Sequence, residues 1–139
     1  MAMRKSILHL VKVMGGLAGM MTKITEDSPE YYALNCLTDE EADVAASLGL
    51  RKPRTLEYVA DKCGKSTEET KKILDRLGYL GVIKIYTENG QTLYFMQIFA
   101  PGTLEMMVGC TENVKEHPEI AKAFEAYTRG LMESMGTML

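Results

Sequence analysis

The chain has 139 residues, 46% of them hydrophobic and 25% charged, which is enough for one domain with a real core and too little for two of full size. That composition excludes a disordered tail, a collagen and a disulfide miniprotein. With 16 Lys and Arg against 19 Asp and Glu, the net charge of −3 lacks the basic excess of a dedicated nucleic-acid binder.

The N-terminal segment, Met1 to Thr25, holds four bases (Arg4, Lys5, Lys12 and Lys23) and no acid, leaving 12 bases against 19 acids elsewhere. Within it Ile7, Leu10, Val11, Met14, Ala18 and Met21 recur at helical spacing, although Gly15, Gly16 and Gly19 weaken the helix. His9 and Lys12 interrupt the apolar run and no cleavage pattern follows, so it reads as neither a signal peptide nor a membrane span. Its charge makes attachment to an anionic membrane surface a minor further reading. Thr25-Glu26-Asp27-Ser28-Pro29 is a polar break, because Pro29 disfavours helical geometry at Ser28.

Thr38 followed by Glu41 fits a capping box and starts a helix from Asp39 to Leu48, with Ala42, Ala45, Ala46 and Leu48 inward. Pro53 stops it, and Arg51, Lys52 and Arg54 surround the turn. Thr55 caps a second helix over Leu56 to Lys62, with Leu56, Val59, Ala60 and Cys63 inward and Gly64 as its stop. Cys63 reads as a small buried hydrophobe. Ser66 with Glu69 repeats the capping box, and a third helix carries Thr70, Ile73, Leu74 and Leu77 on one face before Gly78.

After Gly81 the period changes to two. Val82 to Thr87 favours a strand, Asn89-Gly90 a tight turn, and Thr92 to Ile98 a returning strand with Tyr94, Met96 and Ile98 on one face and Leu93, Phe95 and Gln97 on the other. Pro101-Gly102 ends it, Thr103 caps a short helix through Val108, and Pro118 opens a longer one with Ile120, Ala123, Phe124, Tyr127 and Leu131 at helical spacing. The expected fold is mostly α with a small antiparallel β-hairpin. It divides into a basic amphipathic helix (1–25), a winged helix-turn-helix core (37–99) and a C-terminal helical extension (100–139).

The chemistry the residues offer is sparse. Cys36, Cys63 and Cys110 stand 27 and 47 residues apart, too few and too scattered for a disulfide framework, which points to a reducing cytoplasm. His9 and His117 fall in unrelated segments, and no Cys has a His or second Cys at ligand spacing, so neither a metal centre nor catalysis is expected of this chain. Gly15-Gly16 and Gly19 lack the strand and the Lys-Ser/Thr ending of a phosphate loop.

DNA binding is tested by the charges on the third helix and the wing. That helix exposes Glu68, Glu69, Lys71, Lys72, Asp75 and Arg76, three acids against three bases, with Glu68–Lys72 and Lys71–Asp75 at pairing distance. The wing tip, Glu88-Asn89-Gly90-Gln91, carries no cation, and Thr38 to Ile98 holds nine bases against ten acids. Contact with a protein is therefore preferred. A dimeric DNA-binding regulator is the alternative, with Lys71, Lys72 and Arg76 in the groove and Arg51, Lys52 and Arg54 near phosphates. Eleven methionines add an adaptable element: Met96 and Met106 are expected in the core. Phe124, Tyr127, Leu131, Met132 and Met135 form a candidate oligomer interface, continued by Met138.

Leu37-Thr-Asp-Glu-Glu-Ala-Asp-Val-Ala, Arg51-Lys-Pro-Arg-Thr, Cys63-Gly-Lys-Ser-Thr-Glu-Glu-Thr, Phe99-Ala-Pro-Gly-Thr-Leu-Glu-Met-Met-Val and His117-Pro-Glu-Ile-Ala-Lys-Ala-Phe-Glu-Ala-Tyr together resemble one family, over about Leu37 to Arg129. It is the N-terminal region of multidomain anaerobic iron–sulfur and flavin-dependent pyridine-nucleotide-type oxidoreductases. The resemblance implies a winged-helix segment ahead of 4Fe-4S modules and a flavoprotein domain. It carries no cofactor into this chain, because the cysteine-rich segment has no counterpart here: clusters and flavin are expected only downstream. The expected partners are a second copy of the chain or such redox domains, and the chain is either an N-terminal piece or a stand-alone relative.

Overall fold

The computed structural model describes residues 3–21, 23–99, 103–109, 111–126 and 129. Its helices are α1 (Lys5–Met21), α2 (Pro29–Leu34), α3 (Asp39–Ser47), α4 (Leu56–Cys63), α5 (Thr67–Leu80), α6 (Leu104–Gly109) and α7 (Thr111–Glu116). The strands β1 (Lys84–Glu88) and β2 (Gln91–Phe95) form one antiparallel hairpin between α5 and α6, and residues 119–126 are helical again.

Ile7, Leu10, Val11 and Met14 of α1 are buried in the same apolar cluster as Ala42, Val44 and Ala45 of α3 and Leu74, Leu77 and Leu80 of α5. Burial of side chains of this size is worth roughly 1.5–3 kcal/mol each, which offsets the helix-weakening glycines. A polar clasp holds the start of α1. Arg4 N–H donates to the Tyr31 hydroxyl (2.8 Å), its guanidinium to the Asn35 carbonyl (3.0 Å) and Asp39 (2.9 Å), and Ser6 Oγ donates to Asp39 (2.5 Å).

Ser28 is extended (φ −62°, ψ 132°), as the proline predicts, but Pro29 then serves as the first residue of α2, a helix the sequence reading did not include. This single-turn element is too short to be stable alone. It forms because Tyr31, Ala33 and Leu34 enter the core.

The capping box of α3 is complete: Thr38 N–H donates to Glu41 Oε1 (2.9 Å) and Glu41 N–H to Thr38 Oγ1 (3.1 Å). Val44 is buried where Ala46 was expected, and Ala46 is half-buried. Residues 50–54 run beside β2: Arg51 N–H reaches the Met96 carbonyl (2.8 Å), while Arg54 and Tyr94 exchange backbone bonds of 2.9 and 2.8 Å.

Thr55 caps α4 through Tyr58 N–H, and Gly64 ends it in the left-handed region (φ 65°). For α5 only the serine half of the expected box is found among the described residues, Ser66 Oγ accepting from Glu69 N–H at 3.1 Å. Gly78 does not end this helix. It continues to Leu80 and stops at Gly81 (φ 87°), because Gly78 marks where Ile85 packs: a Cβ there would lie 2.5 Å from Ile85 Cδ1.

Asn89 (φ 52°) and Gly90 (φ 77°) make the predicted tight turn, with Glu88 opposite Gln91 and Lys84 opposite Phe95. Val82 and Ile83 precede the strand and are buried. Met96 faces the core as expected and Tyr94 is buried with it, but Ile98 lies past the end of β2 and is 39% exposed. Met106 is likewise exposed, and its neighbour Met107 fills the core position. The Thr103 hydroxyl, at the start of α6, donates to the Val82 carbonyl (3.3 Å). Ile120 and Ala123 are buried and Phe124 half-buried. Cys110, Tyr127, Leu131, Met132, Met135, Met138 and the Pro101-Gly102 break lie outside the described residues. No described helix is long and apolar enough to cross a membrane.

Candidate interaction surface

The outward face of α5 is exposed at Glu68, Glu69, Lys71, Lys72, Asp75 and Arg76. Lys71 Nζ donates to Asp75 Oδ2 at 2.7 Å, and that hydrogen bond raises the lysine pKa above its ordinary value. Arg76 turns back into the fold, where its Nε donates to Glu41 Oε2 at 2.7 Å. The Glu41 side chain is only 10% exposed, so one carboxylate joins the start of α3 to the middle of α5 through both its oxygens. Of the three bases on this face, Lys72 alone has no ion pair among the described residues. The sequence-expected Glu68–Lys72 pair is not found there either.

The turn residues divide in the same way. Arg51 and Lys52 are exposed. Arg54 is structural at three points: its backbone pairs with Tyr94, its Nε donates to the Leu48 carbonyl (2.9 Å), and its guanidinium lies 4.2 Å from the centre of the Tyr58 ring. Lys62 approaches the same ring from the next turn, 5.6 Å from its centre and 3.4 Å from its hydroxyl. Tyr58 and Lys62 were missed from the sequence, although their i,i+4 spacing on α4 signals a common helix face; Arg54 joins them from the turn before the Thr55 cap.

The thiols differ. Cys63 is half-buried, and its Sγ donates to Ser47 Oγ (3.4 Å) beside an open groove of about 640 Å³ bordered by His9, Asp43, Lys62 and Lys65. Burial, reinforced by the Glu119 carboxylate, pushes the Cys36 thiol up to about 11. His9 is exposed, His117 pairs with Glu119 (3.3 Å), and no group of three potential metal ligands converges among the described residues. At the far end, Lys122 lies 5.8 Å from the Tyr32 ring, which places the helical segment 119–126 against α2 and leaves Phe124 partly covered.

No protein-family model matches this chain, and the searches of curated proteins and of solved structures return no match.

Proposed function

We propose that this chain is a winged-helix module that works by protein contact or dimerisation and has no catalysis of its own. It would be the N-terminal domain of an iron–sulfur flavoprotein oxidoreductase, or a relative of one. The winged-helix reading is supported by the order α3, α4, α5, β1, β2 and by residues 50–54 lying along β2 as a short third strand would. One observation carries the choice of protein over DNA: the Arg76–Glu41 ion pair. The arginine best placed on α5 for a groove is spent on holding α5 to α3, and Lys71 is neutralised by Asp75. With Glu68 and Glu69 in the first turn and no cation at the hairpin tip, this face has little to offer a phosphate backbone.

The test has two arms. Sedimentation velocity of the full chain over about a hundredfold range of concentration, alone and with a reconstituted 4Fe-4S flavoprotein domain, is expected to show a dimer or a complex. A mobility shift with random duplex DNA at low salt is expected to show none, since non-specific electrostatic binding is strongest there. A chain that remains monomeric and ignores the redox domain overturns the reading, and a clear shift on duplex replaces it with the DNA-binding regulator.

A further inference from the structure

We propose that the strip formed by Lys52, Arg54, Tyr58 and Lys62 is a docking site for an acidic polypeptide segment, a partner's run of Asp and Glu carboxylates. This rests on the protein-contact reading above and names the surface and the chemistry of the partner.

The strip is built from both sides of the α4 N-terminus. Gly49 (φ 73°) opens the turn that brings two basic side chains together, since a Cβ at that position would sit 3.6 Å from Arg54 Nη2 and 3.7 Å from Lys52 Cδ. The Leu48 carbonyl holds Arg54 Nε, which leaves the terminal nitrogens of its planar fork for another acceptor. The guanidinium and the Lys62 ammonium then converge on one partly exposed ring, so the two cationic heads stand within about 10 Å of each other.

Like charges gathered on one aromatic repel unless something negative joins them, and no carboxylate stands within ion-pair distance of either cation among the described residues. Arg4, Lys65, Lys71 and Arg76 each have a carboxylate within ion-pair distance. Among the described residues Arg51, Lys52, Arg54 and Lys62 have none, although Glu57 and Asp61 lie on the same helix. Other exposed lysines such as Lys5, Lys72 and Lys84 also lack an ion pair, but only here do two unpaired cations meet on one ring among the described residues, and the fitting complement is an anion. In an extended peptide, carboxylates two residues apart are separated by about 7 Å and point to one side, which suits two cations flanking a ring. A nucleic-acid strand suits it less, because its phosphates continue at similar spacing in both directions and would meet the exposed Glu57, Asp61, Glu68 and Glu69. A polypeptide needs carboxylates only where the strip lies and can place an apolar side chain on the Tyr58 ring.

The full, isotope-labelled chain is titrated by NMR at low salt with a synthetic peptide of alternating Glu and Ser, and in parallel with random duplex DNA. Saturable peptide binding is expected, with the largest shifts at Lys52, Tyr58, Lys62 and the Arg54 Nε–H. The exposed pair Lys52→Gln with Lys62→Gln should weaken it about tenfold, whereas Lys12→Gln with Lys115→Gln, an equal change of charge elsewhere, should leave it within about twofold. Thermal unfolding verifies that both double variants remain folded. Absence of peptide binding, equal losses in the two double variants, shifts centred on α1, or tighter duplex binding through these same cations would each overturn the site. A variant lacking Lys52 and Lys62 that still captures its protein partner at full strength removes this strip and leaves the contact reading standing.

Discussion

Arg76 and Lys72 stand one turn apart on α5 and look alike in composition, yet they have opposite stakes in the fold. Arg76→Ala leaves a nearly buried Glu41 carboxylate without its cation, which places the expected cost at about 1–2 kcal/mol, between a surface pair and a buried one. Lys72→Ala should change stability by less than about 0.5 kcal/mol. Urea unfolding of the two variants makes the comparison, and equal midpoints would mean that the Arg76–Glu41 bond holds nothing. Half of this was legible in the sequence. The spacing of Lys71 and Asp75 reports their bond, because a helix brings neighbours four apart together. The Arg76–Glu41 bond joins residues 35 apart and follows from how α3 crosses α5, which no local spacing encodes. Cys36 makes a second contrast. Its thiol is held at about 11, so at pH 8 only about a thousandth of it is thiolate, and peptide-level mass spectrometry should find it alkylated by iodoacetamide more slowly than Cys63. A folded-state pKa raised above 9.0 adds stability that is complete below pH 9 and is lost as pH rises toward 11, so wild type should lose more stability than Cys36→Ala across that window.

At the scale of elements, α3, α4 and the hairpin were readable because each carries its own punctuation: Thr38 with Glu41, Thr55 with Gly64, and Asn89 with Gly90. Where a boundary depends on another element, the reading stops short. α2 exists through the burial of Tyr31, Ala33 and Leu34, and α5 runs through Gly78 because the hairpin packs there. The latter contact can be tested as a coupling. Alanine in a helix interior is favoured over glycine by about 1 kcal/mol, but at position 78 the new methyl meets Ile85 Cδ1 at 2.5 Å and Cγ1 at 3.0 Å. Gly78→Ala alone should therefore give no gain. In an Ile85→Ala background, which removes both atoms, the same change should stabilise by about 0.5–1 kcal/mol. A double-mutant cycle that comes out additive would show that the hairpin does not press on Gly78. Gly81 is different in kind: its φ of 87° and the Met106 backbone 2.7 Å from its missing Cβ make Gly81→Ala costly in any background, by about 2 kcal/mol or more.

Over the whole molecule, the question is whether the basic front of the chain is an accessory or part of the domain. Its charge stands apart in the sequence, but its apolar face does not: Ile7, Leu10, Val11 and Met14 lie in one cluster with residues as distant as Ile120 and Ala123. Removing that face withdraws roughly 6–12 kcal/mol of burial, comparable to the whole net stability of an ordinary domain, even though the freed chain regains entropy. Deletion of Met1 to Lys23 should therefore abolish the cooperative thermal transition. Replacing Lys5, Lys12 and Lys23 by Gln should preserve it, because Lys5, Lys12 and Lys23 are all exposed. Arg4 is kept in that variant for its bond to Asp39, whose carboxyl the Ser6 hydroxyl and the Arg4 guanidinium hold below the usual range. With a lowered folded pKa, this clasp contributes above the unfolded value near 4 and is lost as pH falls below it, so Asp39→Asn should flatten the acid limb of the stability profile. A truncated chain that melts as sharply and as high as the full one would separate α1 from the domain. The charge-neutral variant would then have no advantage over deletion as a probe of what the basic residues bind.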